Sequence, residues 1–503
     1  MTLDLTTILI LCAAAALYAL LSPPRLRGWL LLVGSVIAVY ALQPRLRIPF
    51  SDFILPTATI LLTVVCWWLT RPVQDKPEEH SVGATRRVAP TGTTYPFSED
   101  LIALGIILAL VMSVALTRYV EADSLLRITS RPPQPLPVLV GLGLVGGLTL
   151  ILGLLRRSTR LPVLGGMILL IVTLFVVLKA EPVGTAVSRV WRENMGRDTS
   201  LATIADIAGW LGFSYIAFRL IHTLRDRQSG KLPALTLREY VTYVLFFPAL
   251  TAGPIDRAER FQKDFRALPE MIGLAAPRII EGSTRIAVGL FKKFVIADSL
   301  AVGLSLNATT AQQADSPAGL WLLVYGYALR LFFDFSGYSD IAIGIGILFG
   351  IRLPENFDRP YLKNDLASFW QSWHMTLSTW ARFYVFTPLT RVLLSRPVKP
   401  PMPVIILLTQ LATMVTIGLW HGVTLNFLIW GVWHGVGLFA HKQWSDRTRK
   451  WYMGLKDKPG QKRAWTLFAW FITFHYVALG WVWFALPEVG DSLRVFGGLI
   501  GIR

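Results

Sequence analysis

Between residues 240 and 440 the chain places ionisable and amide side chains inside or against apolar stretches. Burying such groups in a membrane-like setting costs at least about 2.5 kcal/mol each, so each is a functional candidate by default. Four clusters stand out. The first runs from Phe246 to Asp264, where Pro248 and Gly253-Pro254 stop a helix ahead of Asp256, Arg257, Glu259, Arg260 and Lys263. It reads either as a helix stop with an interfacial tail, or as a phosphate-contacting dock for a charged donor through Arg257, Arg260 and Lys263. The second is Phe332–Asp340, in which Asp334 and Asp340 flank a Ser-Gly-Tyr-Ser break at membrane depth. Irregular backbone there must line a cavity or be buried in protein. The third extends from Pro354 to Trp380 and includes Asn356, Trp370, Trp373 and His374. With Asn364 or Asp365 as cap, Trp370, His374 and Leu377 fall on one helical face and give an aromatic-walled histidine. The fourth, Gly418–Gly435, holds Trp420, His421, Asn426, Trp430 and His434. His434 reads as a satisfied packing histidine. His421 lies between two spans beside Gly422 and has His374 as a second histidine in another aromatic cluster, so it is assigned to function.

Other patterns carry less. Gly141, Gly143 and Gly146 spell G-x-G-x-x-G in the middle of an apolar 20-mer, where small residues serve close helix packing. His222 and Asp226 match the H-x-x-x-D of some soluble acyltransferases, but with Arg225, Arg227 and Lys231 alongside they read as a solvated cluster at the membrane edge. No HExxH, Walker A, G-x-S-x-G or CxxC motif occurs, and Cys12 and Cys66 lie in apolar runs, so neither a metal site nor a disulfide framework is expected.

The elements that must position these groups follow from composition. Of 503 residues, 53% are hydrophobic and 16% charged, against about 25% charged in soluble domains, and the mean hydropathy is +0.51. An ordinary soluble enzyme is excluded. The expected fold class is an all-α polytopic integral membrane protein, with roughly a dozen transmembrane helices and further re-entrant or interfacial helices around a central tunnel. Apolar stretches are expected at 5–22, 28–43, 53–70, 101–118, 136–155, 162–179, 201–222, 239–252, 280–306, 317–335, 339–351, 403–420, 424–440 and 465–486. The first is read as a retained span rather than a signal peptide. Residues 71–99 read as a soluble linker within an N-terminal membrane region, 1–200; 201–486 form the core and 487–503 a tail. The net charge of +18 suits loops lying on anionic lipid, which makes the bilayer a partner and nucleic acid not one. The basic segment 441–464 marks the cytoplasmic side, while Arg25/Arg27 and Arg45/Arg47, on opposite sides of one span, leave the N-terminal orientation open.

At these clusters the chain resembles the membrane-bound O-acyltransferase family, specifically the bacterial branch that contains alginate O-acetyltransferases and teichoic-acid D-alanyl transferases. The resemblance spans about 205–485 and rests on FDFSGYSDIAIG, PENFDRPY, SFWQSWHMTLSTW and GLWHG. The family's pair of histidines carries over to His374 and His421, the latter tied most closely to catalysis. Gln371 and Ser372 stand where the family usually has two arginines, and Arg382-Phe383-Tyr384 lacks a customary aspartate, departures that bear on donor specificity.

The resemblance implies a thioester donor, either acyl-CoA or the phosphopantetheine of an acyl carrier protein, arriving at the cytoplasmic face of a multi-pass protein in the plasma (inner) membrane. It implies a hydroxyl acceptor on a cell-surface polysaccharide or cell-wall polymer, with an extracytoplasmic acyltransferase as an open further partner and no bound cofactor. His421 would be the general base. His374, with Asn426 or Asn356 nearby, would orient a substrate or polarise the thioester carbonyl, and Trp370, Trp373, Trp380, Trp420 and Trp430 would wall the donor arm. A transporter, scramblase or export scaffold is the competing class, for which the same polar groups would line a route.

Overall fold

The computed structural model describes residues 5–43, 51–72, 97–158, 162–271 and 276–502, apart from 122, 125 and 209. The Arg45/Arg47 loop and most of the 71–99 linker lie outside them. Every regular element among the described residues is helical. Among the described residues, six helices are long and apolar enough to cross a membrane: Ser51–Thr70, Phe97–Tyr119, Pro135–Leu155, Pro317–Leu348, Met402–His421 and Pro459–Ala485. A seventh span forms if Val163–Lys179 and Glu181–Asn194, which meet at 91°, are counted as one broken unit. Other expected spans are shorter or interrupted. Leu5–Leu21 has 17 residues and Arg27–Ala41 has 15. The expected 201–222 stretch breaks at Gly212, whose φ of 78° begins a new helix at Phe213.

The core is framed by α1 (Phe213–Gln228), α2 (Leu237–Leu245), α3 (Ala276–Leu290), α4 (Pro317–Leu348), α5 (Met402–His421), α6 (Leu425–Gly454) and α7 (Pro459–Ala485). The nine residues of α2 start from a capping box of Thr236 and Glu239. All but Arg238 are buried, so the expected 239–252 span is a short internal helix.

The Ser336–Ser339 break does not exist, because α4 runs through it unbroken for 32 residues. Gly337 has a different use. A Cβ on the facing Gly289 would lie 2.6 Å from the Gly337 carbonyl oxygen, and one on Gly344 would lie 2.6 Å from that of Gly282. These glycines let α3 and α4 touch backbone to backbone, the close approach that small residues permit in membranes. Just beyond α3 the chain widens into a π-helical turn, Phe291–Ala297, that carries Lys292 and Lys293. The basic segment 441–464 is also not a loop: α6 continues to Gly454 and α7 begins at Pro459, as the Lys, Arg and Gln content favours.

The third cluster folds differently from its periodicity. Asp365 caps the short helix Leu366–Trp370, its side chain accepting from the Ser368 N–H at 2.8 Å. That helix ends before His374, which takes a left-handed backbone (φ 43°) and opens a second helix, Met375–Ala381. Trp370 and His374 therefore sit on separate helices and do not share a face.

Candidate active site

His374 is 2% exposed, and its neighbours fix which ring nitrogen carries the proton. The Asn356 Oδ1 accepts from the Thr376 hydroxyl at 2.6 Å and the Thr376 N–H at 3.4 Å, and faces His374 Nδ1 at 3.3 Å. A backbone N–H can only donate, so the amide oxygen is on that side and His374 Nδ1 is the protonated nitrogen. The Asn356 Nδ2 donates to Ser339 Oγ at 3.2 Å, and Thr376 Oγ1 accepts the Ile255 N–H at 3.1 Å. Nε2 of His374 is left as a buried lone pair with no hydrogen-bond partner among the described residues. Burial holds this imidazole well below its ordinary value, at about 3, so it is neutral at physiological pH. An acceptor lone pair cannot polarise a carbonyl; in this tautomer Nε2 can only accept a hydrogen bond.

The Trp420 ring links the two histidines, lying 5.9 Å from His374 and 4.5 Å from His421 between ring centroids. Its indole N–H is buried without a partner among the described residues. His421 is the last residue of α5 and is caged by Phe484 at 4.7 Å, Trp430 at 5.8 Å and Phe427 at 5.9 Å. The ring is only half-buried, because the chain turns there through Gly422–Thr424.

Two adjoining cavities lie beside Met375 and Thr376, the residues that follow His374. A cavity of about 310 Å³ is lined by Arg257, Arg260, Met375, Thr376, Trp380 and Tyr384, among others. A second, of about 260 Å³, shares Arg257, Phe383 and Tyr384 with it and adds Arg225, Lys231 and Arg391. Arg257 bridges Asp226 and Glu259 at 3.1 Å each, and Arg260 is held by Asp256 and by Asp264 at 3.2 Å. The His222/Asp226 pair is not a solvated edge. Both residues are buried, with His222 Nε2 3.5 Å from Asp226 and the Tyr384 hydroxyl donating to Asp226 at 3.0 Å. The reason is that α1 is enclosed around its circumference, burying Tyr215, Phe218, Leu220 and Leu224 together.

The remaining sequence-derived candidates are spread more widely. Asp340 pairs with Lys292 at 2.6 Å and Arg285 at 2.7 Å, and Asp334 pairs with Lys293 at 3.0 Å. Asn426 donates to the Leu486 carbonyl at 2.7 Å and Ser492 Oγ at 3.2 Å, tying α6 to the chain beyond α7. Of the two amides considered beside His374, Asn356 is the one in contact. Trp373 stacks on Phe369 at 5.6 Å and packs on Trp481 at 5.0 Å, and Trp370 packs edge-on to His434 at 5.0 Å.

Sequence reasoning missed Thr376 and Ser339, which fix Asn356. It also missed buried Arg219, which donates to the Val244 and Ala249 carbonyls at 2.8 Å each and pins the chain leading to the two cavities. A threonine two residues after His374 was the only available signal for the first; Arg219, in the middle of an aromatic helix, was visible as a charge needing a partner.

The model of the membrane-bound O-acyltransferase family matches residues 163–480. The chain is 34% identical to a teichoic acid D-alanyltransferase of Streptococcus thermophilus over 294 residues, covering 56% of this chain and 69% of that protein. It is 34% identical to a peptidoglycan O-acetyltransferase of Helicobacter pylori over 265 residues, 53% of this chain and 47% of that one. It is also 34% identical to a probable alginate O-acetylase AlgI of Pseudomonas syringae pv. tomato over 294 residues, 58% and 51% of the two chains. The chain thus spans about half the length of the two acetyl-transferring relatives. The matched region contains Asn356, His374, Trp420 and His421, and the chain belongs to the membrane-bound O-acyltransferase family.

Proposed function

We propose that this membrane acyltransferase moves an acetyl or D-alanyl group from a cytoplasmic thioester to a hydroxyl of a cell-surface polymer, with His421 as general base. The observation that carries the reading is the convergence of two histidines on one tryptophan, one locked as a neutral acceptor and the other half-open at a helix end. In this scheme the hydroxyl oxygen attacks the thioester carbonyl as its proton passes to His421. Collapse of the tetrahedral intermediate breaks the C–S bond, and the departing thiolate takes that proton. General-base assistance of this kind is worth about 10²–10⁴ in rate.

The basic end supports a donor on the cytoplasmic side. Arg225, Lys231, Arg257 and Arg391 surround one cavity and would hold donor phosphates, while the neighbouring cavity over Thr376 and Trp380 would take the arm. Acyl-CoA and a carrier-bound phosphopantetheine both satisfy this chemistry. Residues 201–486 would form the transfer core around a tunnel that joins these cavities to His421, in the plasma membrane. Asp334 and Asp340 would contribute by holding α3 against α4 rather than by touching substrate. The test is acyl-ester content of surface polymer in cells carrying the intact chain or His421→Ala, with membrane levels matched. Near-normal ester content in the variant would refute the base assignment; no difference between cells with and without the chain would favour a transporter or scaffold.

A further inference from the structure

The cations on the basic end are largely committed to carboxylates: Arg257, Arg260, Arg285, Lys292 and Lys293 each face one. Lys179 differs. It is the last residue of Val163–Lys179, directly at the 91° elbow with Glu181–Asn194, and is partly buried. It forms no ion pair or hydrogen bond among the described residues, and its contact is the Phe175 ring at 6.0 Å.

Its place in the molecule follows from packing. Val163–Lys179 lies along α1, and a Cβ on Gly165 would come within 3.8 Å of the Gln228 side chain at the far end of α1. Fourteen residues further on, about 21 Å along the axis, Lys179 is level with the start of α1. Tyr215 there packs edge-on to Trp420 at 5.7 Å. Lys179 therefore lies at the opposite end of α1 from Arg225, Lys231 and Arg257, on the side where Gly422–Thr424 open His421 outward. The elbow is held tight by Gly184, where a Cβ would be 2.6 Å from the Ile204 side chain. A lysine at a span end commonly snorkels to lipid headgroups, but this one lies level with Tyr215, which packs on the same Trp420 ring that adjoins His421.

We propose that Lys179 is an anion-binding residue for the acceptor, pairing with a carboxylate or phosphate close to the hydroxyl that His421 deprotonates. The proposal rests on the acyl-transfer reading for its direction, because that reading brings the acceptor to the outer side of His421. The pairing would position an acidic polymer and disfavour a neutral one.

The test measures binding, not turnover. Full-length protein in phosphatidylcholine nanodiscs is titrated with fluorescent oligoglucuronate, oligo(glycerol phosphate) and neutral dextran oligomer of equal length. The intact chain should prefer at least one anionic oligomer, Lys179→Gln should weaken that binding about tenfold, and Lys179→Arg should restore it to within about twofold. No anionic preference in the intact chain overturns the proposal without any variant. Unchanged binding by a folded Lys179→Gln overturns it, as does a Lys179→Gln effect confined to retention of phosphatidylglycerol, which would make the residue a lipid anchor. A His421→Ala chain that still transfers acyl groups would defeat the base assignment while leaving these binding results intact.

Discussion

The tripeptide Trp-His-Gly occurs twice, at Trp420-His421-Gly422 and Trp433-His434-Gly435, and the two copies end in different surroundings. His421 closes α5, so its backbone leaves the helix and its ring keeps an open side. His434 sits inside α6 and is fully enclosed by Trp430 at 4.9 Å, Trp370 at 5.0 Å, Tyr476 at 6.0 Å and Trp481 at 6.1 Å. Gly480 of α7 presses on it, since a Cβ there would lie 2.8 Å from His434 Nε2. Neither nitrogen of His434 has a hydrogen-bond partner among the described residues. It is a packing residue, as expected, though not a satisfied one. A helix end, rather than the residue types, separates a half-buried histidine from a fully buried one.

Four substitutions probe that contrast. The largest effect should come from His421→Ala, with acyl-ester formation in membranes falling by about 10²–10⁴; retention to within tenfold would erase the distinction between the copies. His374→Asn should lower the rate by about 10²-fold. Burial keeps His374 neutral down to about pH 3, so the rate profile between pH 5 and 8 should keep the shape of the intact chain in this variant. A displaced acid limb would show that His374 titrates there. Thr376→Val preserves shape but removes the hydroxyl that fixes Asn356; a loss of about 1–1.5 kcal/mol, or roughly tenfold in rate, is expected from kinetics. The smallest effect should be His434→Phe, with activity within about twofold. Thermal unfolding in detergent should show unchanged or slightly raised stability, because two unpaired buried nitrogens are removed. A drop comparable with His421→Ala would make both copies chemical.

The membrane class was legible because apolar length is a linear property of a chain, and polar intrusion singled out His421, His374 and Asn356 as candidates for the same reason. The folded form of the third cluster was not. Helical periodicity aligned Trp370 with His374, but a left-handed residue ends the period, and backbone conformation leaves no periodic trace. Likewise Ser336-Gly337-Tyr338-Ser339 looks like a turn when read alone. Only the partner glycines on α3, tens of residues away, turn it into a contact surface. The burial of His222 and Asp226 failed for a related reason: flanking arginines indicate a nearby surface but not that α1 is enclosed on all sides. The span count was drawn from apolar runs, and the run 239–252 holds only the short buried helix α2, nine residues that include Arg238 and Glu239.

The left-handed backbone at His374 restricts what can replace it. A β-branched side chain there would be a steric outlier, glycine would relax the chain but remove the ring, and asparagine and aspartate are the other common side chains that tolerate the conformation. Arg359 has the same backbone sign at φ 46°, so the segment carrying Trp370 and Trp373 is bracketed by two such residues. On the proposed role of His374, mutation at this position is filtered twice, once by chemistry and once by geometry. Lineages that lose the acceptor nitrogen should pass through asparagine, aspartate or glycine, leaving a narrow and recognisable trail of descent.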